Sequence, residues 1–401
     1  MASIKKIEGK KGISFQLIAY MGYDSQGKKL TKTKTWRPSF EIKTDRQLDK
    51  AIKLATIEAA KFEDAVNSGQ LADGKLTFAD FSRRWLQANE IRFAPITYTR
   101  YETLLVRINQ AIGHKRICKI SPMDLEEFYA SLAKVKSEAT GKLLSQQTIK
   151  HYHQCISVIL ADAVKKQIIP FNPASRERIN APVVAKKEPA HFDDEQAKRF
   201  IEALQRETDL RKVAAFTLLI YSGIRLGELN GLEWQDIDFD KQTIAIRRTS
   251  QAVKGKGIIT KVPKNRTSTR TIKLPAIVFD ILHAYQNWYY DQKQAVGSNW
   301  IESNRLLTQS DGRPITPTLP NKWLDTILET HRLPRVTPHG LRHTNISLLI
   351  ANGVDLRTVA NKAGHSRTST TSDIYAHVIQ AADEQASEVL DSVLTPRIKK
   401  A

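Results

Sequence analysis

Cysteine is almost absent from this chain: its 401 residues hold two, Cys118 and Cys155. They have no metal-type spacing and are too few for a disulfide framework. A reducing cytosol is the expected setting, with both thiols in helical core. Long apolar runs are missing too. No stretch reaches the roughly 18 consecutive apolar residues that a membrane-spanning helix requires. The opening MASIKKIEGKKG places no apolar segment behind its basic residues, so a secretory signal is not expected. There is no GxxxxGK(S/T) phosphate loop and no carboxylate cluster of the two-metal nuclease kind. Internal repeats and low-complexity tracts are lacking as well.

Acidic residues are in deficit. Lys and Arg number 62 against 42 Asp and Glu, a formal charge of +20, and the isoelectric point is near 9.8. Such a field favours a polyanion and makes binding steeply salt-dependent through counterion release. A basic soluble protein with no nucleic-acid role is the plainer alternative, and charge alone does not separate an enzyme from a repressor. At this length the core is expected to divide into two or three domains.

The first 37 residues carry nine Lys or Arg against two acids, Glu8 and Asp24. Ile13, Phe15, Leu17, Ala19 and Met21 alternate at period two, a strand signal, and Asp24-Ser25-Gln26-Gly27 reads as a turn. After it, Lys32, Lys34 and Trp36 fall on one strand face and Thr31, Thr33 and Thr35 on the other. Thr44 and Gln47 form a capping box for a helix with the stripe Leu48, Ile52, Ala55, Ala59, Phe62 and Val66. Residues 1–70 are thus expected to form a three-stranded sheet backed by one helix. A Lys/Trp face suits a major groove and its phosphates; it reads equally well as a solvated strand face. Asn67 to Gly74 looks like a linker.

Residues 76–176 read as four helices. Thr77 caps one that buries Phe78, Phe81 and Trp85. Thr97 begins one with Tyr101, Leu105 and Ile108. Ser121-Pro122, with Asp124 in the first turn, starts one carrying Leu125, Phe128 and Leu132. Ser145 begins the last, with Ile149, Tyr152, Ile156, Ile159 and Ala163 inward and a stop before Pro170. Opposite that stripe lie Lys150 and His153, either phosphate contacts or a wet helix face. Residues 177–190, with Pro182 and Pro189, read as an extended linker. A larger domain is expected over 191–380, with helices near 193–206 and 210–222, more from 226, and a small sheet of 243–249, 257–263 and 270–274. The tail, 381–401, has Ala382, Ala386, Val389 and Val393 at helical spacing, for docking on its own domain or on a neighbouring subunit. The fold class is mainly α with small β-sheets, α+β and multidomain.

Three segments of the last domain concentrate groups suited to phosphoryl transfer. In Gly223-Ile224-Arg225-Leu226-Gly227-Glu228-Leu229, Gly223 can end one helix at a left-handed position and leave Arg225 at the start of the next. A guanidinium there can clamp a phosphate with backbone N–H help, and Glu228 can hold it; in isolation the pair reads as an ordinary i,i+3 ion pair. In His339-Gly340-Leu341-Arg342-His343, His339 and Arg342 sit three apart on one helical face. An imidazole and a fixed cation at one spot can take a nucleophile's proton and neutralise a phosphorane. A zinc reading of His339 and His343 fails because Gly340 stands where the HExxH motif needs Glu. Gly364-His365 and a polar stretch then lead to Tyr375, which is flanked by His377 and is a candidate nucleophile; a lone helical Tyr is otherwise half-buried packing.

Together and in this order, Arg225 in GIRLGEL, His339 and Arg342 in HGLRH, His365 in AGH and Tyr375 in IYAH resemble the tyrosine recombinase family. The chain is similar to phage and conjugative-transposon integrases over most of its length. The resemblance implies a catalytic lysine from a β-hairpin between the two arginines. Lys264, in Pro263 to Ile272, is the match, although Asn265 stands where the family often has Thr, and Lys261 and Lys256 lie nearby. It further implies that 76–176 is the core-binding domain, forming a clamp with the catalytic domain, and that 1–70 is an arm-binding domain. The implied activity is strand cleavage and rejoining through a 3′-phosphotyrosine, integrating and excising a mobile element. The implied partners are double-stranded DNA at core and arm sites, a homotetramer on that DNA, an excisionase and a DNA-bending host protein. No metal, ATP or other cofactor is implied, because the ester conserves the bond energy. The alternatives are a type IB topoisomerase, which uses the same residues on one duplex, and a DNA-binding regulator with an inactive catalytic domain.

Overall fold

The computed structural model describes residues 2–9, 12–23, 29–67, 76–138, 140–184, 189–261 and 269–364. Lys264, His365, Tyr375 and the 381–401 tail lie outside the described residues. The chain divides into two compact units after residue 185.

The first unit opens with an antiparallel sheet in the order β1-β2-β3, formed by β1 (Ser3–Gly9), β2 (Gly12–Tyr23) and β3 (Lys29–Trp36). The alternation in β2 has the effect its period implies: Phe15, Leu17 and Ala19 are buried with helix α1 (Asp45–Asn67) in one core. Directly opposed residues of neighbouring strands share a face. Trp36 opposes Phe15, Lys34 opposes Leu17 and Lys32 opposes Ala19. The Lys/Trp face is therefore the side that α1 covers, not the open one. Trp36 packs on this core with its ring centroid 6.0 Å from that of Phe15. Lys34 is exposed and Lys32 partly so, because β3 is an edge strand and long side chains can run past a covered rim. The open side carries Lys5, Gln16, Ile18, Tyr20, Thr33 and Thr35 instead.

Helix α1 starts at the expected box, with Thr44 N–H donating to Gln47 Oε1 at 3.1 Å. Its buried stripe is Ala51, Ala55, Ala59, Phe62 and Val66, whereas Ile52 is 41% exposed. Alanines on successive turns let the helix lie close to the sheet, and Ile52, one position along, is rotated away.

Four helices follow around a second core: α2 (Phe78–Ala88), α3 (Pro95–Ile112), α4 (Pro122–Leu132) and α5 (Gln146–Lys165). Local signals set their starts. Thr77 and Ser145 each accept a hydrogen bond from the third N–H of their helix, and Ser121 with Asp124 closes a reciprocal capping box. Helix α3 begins two residues before Thr97, because Pro95 pre-sets the dihedral of a first turn. The reading of α5 needs correction. His153 is buried, its Nδ1 3.1 Å from Tyr129 Oη, and only Lys150 stays half-exposed. Helix α5 packs on both α3 and α4, so its buried arc is wider than a single stripe. Cys155 is buried as expected, but Cys118 is exposed in a single 3-10 turn, Ile117–Lys119. Ile179 is also buried in this core, so any linker starts later than 177.

In the second unit, α6 (Asp194–Gln205) and α7 (Leu210–Ser222) precede the short α8 (Leu226–Leu229). Strands β4 (Ile237–Asp238), β5 (Thr243–Ile246), β6 (Thr249–Val253), β7 (Gly257–Lys261) and β8 (Arg270–Lys273) follow. Then come α9 (Ala276–Val296), α10 (Leu319–Thr330), α11 (Pro338–Ala351) and α12 (Leu356–Ala363). Among the described residues the single expected sheet is two: β4-β5-β8 form one, and β6 and β7 pair with each other. Gly255 and Gly257, at φ 76° and 71°, supply the left-handed backbone of the intervening turn. Helix α7 is buried on nearly all sides, and α6, α9, α10 and α11 pack against it. Among the described residues no helix is long and apolar enough to cross a membrane.

The stripe of α1 is testable by substitution. Ala55→Leu is expected to cost about 1–3 kcal/mol by overpacking, whereas Ile52→Ser should stay within about 0.5 kcal/mol. Amide hydrogen exchange across α1, which reads the opening free energy of that element, checks both.

Candidate active site

Helix α7 ends at Gly223, in the left-handed C-cap conformation at φ 65° and ψ 21°. A Cβ at this position would lie 2.6 Å from Asn345 Oδ1, so glycine is required twice over, by dihedral and by space. Asn345 Nδ2 donates to the Ile220 and Tyr221 carbonyls at 2.8 and 3.2 Å. Arg342, one turn earlier on α11, donates from Nη1 to the Gly223 carbonyl at 2.7 Å and is 1% exposed. The end of α7 is thereby fastened to α11 by two side chains.

Arg225 follows directly and caps α8. Its Nη1 donates to Glu228 Oε1 at 2.9 Å and its Nη2 to the Gly364 carbonyl at 3.1 Å. Its backbone N–H donates to Glu228 Oε2 at 2.9 Å. The Arg225 amide is therefore already used by Glu228.

Glu228 is 4% exposed and makes more than an i,i+3 pair. Arg270, at the start of β8, donates Nη1 to Oε1 at 3.2 Å and Nη2 to Oε2 at 2.9 Å. Its Nε donates to the Lys362 carbonyl at 2.8 Å. Burial pushes the Glu228 carboxyl up, but the hydrogen bond and charge of Arg270, then the amide and charge of Arg225, outweigh it and hold the group below the usual carboxylate range. Gly364 ends α12 at φ 70°, and a Cβ there would meet Arg270 Nη1 at 2.7 Å. Sequence reasoning missed Arg270. It lies 42 positions from Glu228, and a single arginine in a short strand gives no sign of which carboxylate it will meet.

His339 opens α11 behind Pro338, with Thr337 accepting from the Gly340 N–H at 3.2 Å. Its ring meets that of His343 edge to face, centroids 4.6 Å apart. Desolvation, followed by the charges of Arg342 and Arg225, holds its imidazole below the usual histidine range. An imidazole so placed is neutral at neutral pH and can accept a proton beside two cations. Four expected positions, Arg225, Glu228, His339 and Arg342, thus converge. Lys264, His365 and Tyr375 lie outside the described residues. Lys32, Lys34, Trp36, Lys150 and His153 belong to the other unit.

The profile of the phage integrase family matches residues 191–381, and that of the phage integrase N-terminal SAM-like domain matches 77–133. Over these two segments the chain is similar to the phage integrase family. It is a site-specific recombinase of the tyrosine type, an enzyme of DNA strand cleavage and rejoining. The recombinase is 28% identical to the tyrosine recombinase XerC-like protein of Caldanaerobacter subterraneus subsp. tengcongensis, over 94% of this chain and 96% of that one. It is 23% identical to the ICEBs1 integrase of Bacillus subtilis, over 77% and 81% of the two chains. Its fold is similar to that of the Tn1549 transposon integrase solved with a circular intermediate DNA, at a TM-score of 0.64 and 18% identity over 78% of this chain and 99% of that one. It also resembles the lambda integrase dimer bound to a core site, at a TM-score of 0.54 and 14% identity over 92% and 93%.

The recombinase should be sensitive to the α7 cap. Gly223→Ala is expected to cost about 1–3 kcal/mol from the left-handed backbone, and more from the contact with Asn345. Gly255→Ala, also at positive φ but with nothing within 4 Å of the added Cβ, should show the backbone part alone. Comparing the melting temperatures of the two variants separates these contributions.

Proposed function

We propose that the recombinase cleaves one strand by transferring the scissile phosphoryl group to Tyr375. The phenol oxygen attacks phosphorus, the bond to the 5′ oxygen breaks, and a 3′-phosphotyrosine and a free 5′-hydroxyl result. Arg225 and Arg342 grip the non-bridging oxygens and His365 adds a hydrogen bond. His339 accepts the phenol proton, and Lys264 gives a proton to the departing 5′ oxygen. The 5′-hydroxyl of one duplex then attacks the phosphotyrosine of its partner, which restores a phosphodiester and the phenol. The ester conserves the bond energy, so the reading needs no ATP. One observation carries it: Arg342, one turn after His339 on α11, donates Nη1 to the Gly223 carbonyl at 2.7 Å, just before Arg225 in the chain. That supports a reading in which a proton acceptor stands beside two guanidinium groups that bind a phosphodiester.

The substrate on this reading is double-stranded DNA, held as a core site by the helices of 76–176 together with the catalytic unit. A homotetramer acts on two such duplexes, in the cytosol, and integrates or excises a mobile element. An excisionase and a DNA-bending host protein set its direction. A second, arm-type site is bound by the amino-terminal sheet. The open face with Lys5, Gln16, Thr33 and Thr35 suits that contact better than the side shared by Lys32, Lys34 and Trp36, because α1 occupies the latter.

A nicked suicide substrate, from which the 5′ fragment diffuses away, tests the chemistry. Wild type should accumulate on DNA as a covalent adduct, and Tyr375→Phe should form none while binding the core site unchanged. An adduct formed by that variant would overturn the assignment. Since His339 must be neutral to act, the single-turnover rate should fall with acidity only below the ordinary histidine value of about 6.5. A limb centred above that value would remove His339 from the role of base.

A further inference from the structure

The Arg225 guanidinium has two described anchors, the Glu228 carboxylate through Nη1 and the Gly364 carbonyl through Nη2. Neither is fixed by Arg225 itself. The carboxylate is held by a two-point fork from Arg270, Nη1 to Oε1 and Nη2 to Oε2. The Gly364 carbonyl lies at the end of α12, where Arg270 Nε bonds the Lys362 carbonyl at 2.8 Å. Gly364 itself approaches Arg270 so closely that a Cβ would stand 2.7 Å from Nη1. Arg270 therefore stands behind both groups that aim Arg225. Its side chain is 9% exposed, against 41% for Arg225. One cation is built into the fold, and the other is presented.

Charge points the same way. Among the described residues two guanidinium groups share one carboxylate, a set with one positive charge in excess. Without Arg270, Glu228 and Arg225 would form a neutral pair, and the carboxylate would compete with phosphate for the same N–H groups. A planar fork is needed for the two-point hold, which an ammonium does not provide.

We infer that Arg270 is a positioning residue for Arg225: it orients the Glu228 carboxylate and the end of α12, and keeps the Arg225 guanidinium available to the scissile phosphate. This deepens the reading in which Arg225 grips that phosphate, and it rests on that reading.

The test compares two suicide substrates, one with a native scissile phosphate and one with a non-bridging oxygen replaced by methyl. The methylphosphonate carries no negative charge at phosphorus, so a cation aimed at that oxygen becomes dispensable. In single-turnover cleavage by the full chain, Arg270→Met should be about 100-fold slower than wild type on phosphate and within about threefold on methylphosphonate, with Arg270→Lys intermediate on phosphate. The ratio between substrates is taken within each variant, so a loss of folded protein cancels. Arg225→Ala, run alongside, should show the same recovery, and Arg270→Met added to it should cause no further loss on phosphate. If Arg225→Ala recovers while Arg270→Met is slowed equally on both substrates, Arg270 serves only the fold and the inference is overturned. If Arg225→Ala itself fails to recover, the phosphate-gripping role of Arg225 falls and the inference falls with it.

Discussion

A single carboxylate holds the second unit's functional corner together. Glu228 is buried, and a buried charge without compensation would change its protonation state or unfold its surroundings. Here both oxygens are committed, Oε1 to two guanidinium groups and Oε2 to a guanidinium and a backbone amide. The compensation comes from α8, from β8 and, through the Arg270 bond to Lys362, from α12. Three elements that do not adjoin in sequence are thus held by one group. Ion pairs of this kind add little net stability over an apolar core, but removing one partner strands the rest, at a cost of about 3–5 kcal/mol. Their effect is to select one arrangement of the chain over its neighbours.

Much of this was legible before any coordinates, for a definite reason. Helix starts at Thr77, Ser121 and Ser145 were visible because a cap is read within four residues of chain, where side chain and amide meet without help from the rest of the fold. Gly223 was readable as a helix end on the same ground. The failures all depend on what lies opposite. Ala51 was passed over for Ile52 because hydrophobicity ranks isoleucine higher, but the helix–sheet distance favours the smaller residue. The face of β3 was correctly split into alternating sets; which set is covered was decided by α1, nine residues further along. His153 looked solvent-facing from one helix alone and is enclosed by a tyrosine of another.

Of the site, Arg225, Glu228, His339 and Arg342 were found from motif spacing, since each sits within a few residues of a glycine or proline that marks a helix boundary. Arg270 has no such marker. Its importance arises only when β5 pairs with β8 and brings its guanidinium under α8. A residue whose role is to hold another is defined by a tertiary contact, so a single sequence carries no local trace of it.

The two guanidinium groups beside His339 are held in contrasting ways, and the contrast bears on what the corner can do. Arg342 is enclosed and bonded to the carbonyl of a left-handed helix cap, so its charge is fixed in a region of low dielectric, where it acts strongly on neighbours. Arg225 reaches solvent and leans on a carboxylate that a third arginine shares. A rigid cation and an adjustable one suit a phosphorus centre that passes from tetrahedral to trigonal bipyramidal. On the proposed mechanism the first sets the field in advance, and the second can follow the oxygen it would hold. Both depend on glycines whose missing Cβ lets a helix end close against Asn345 or Arg270. The placement of charge in this corner is therefore a property of helix termini rather than of loops, which is the more rigid of the two ways to build a site.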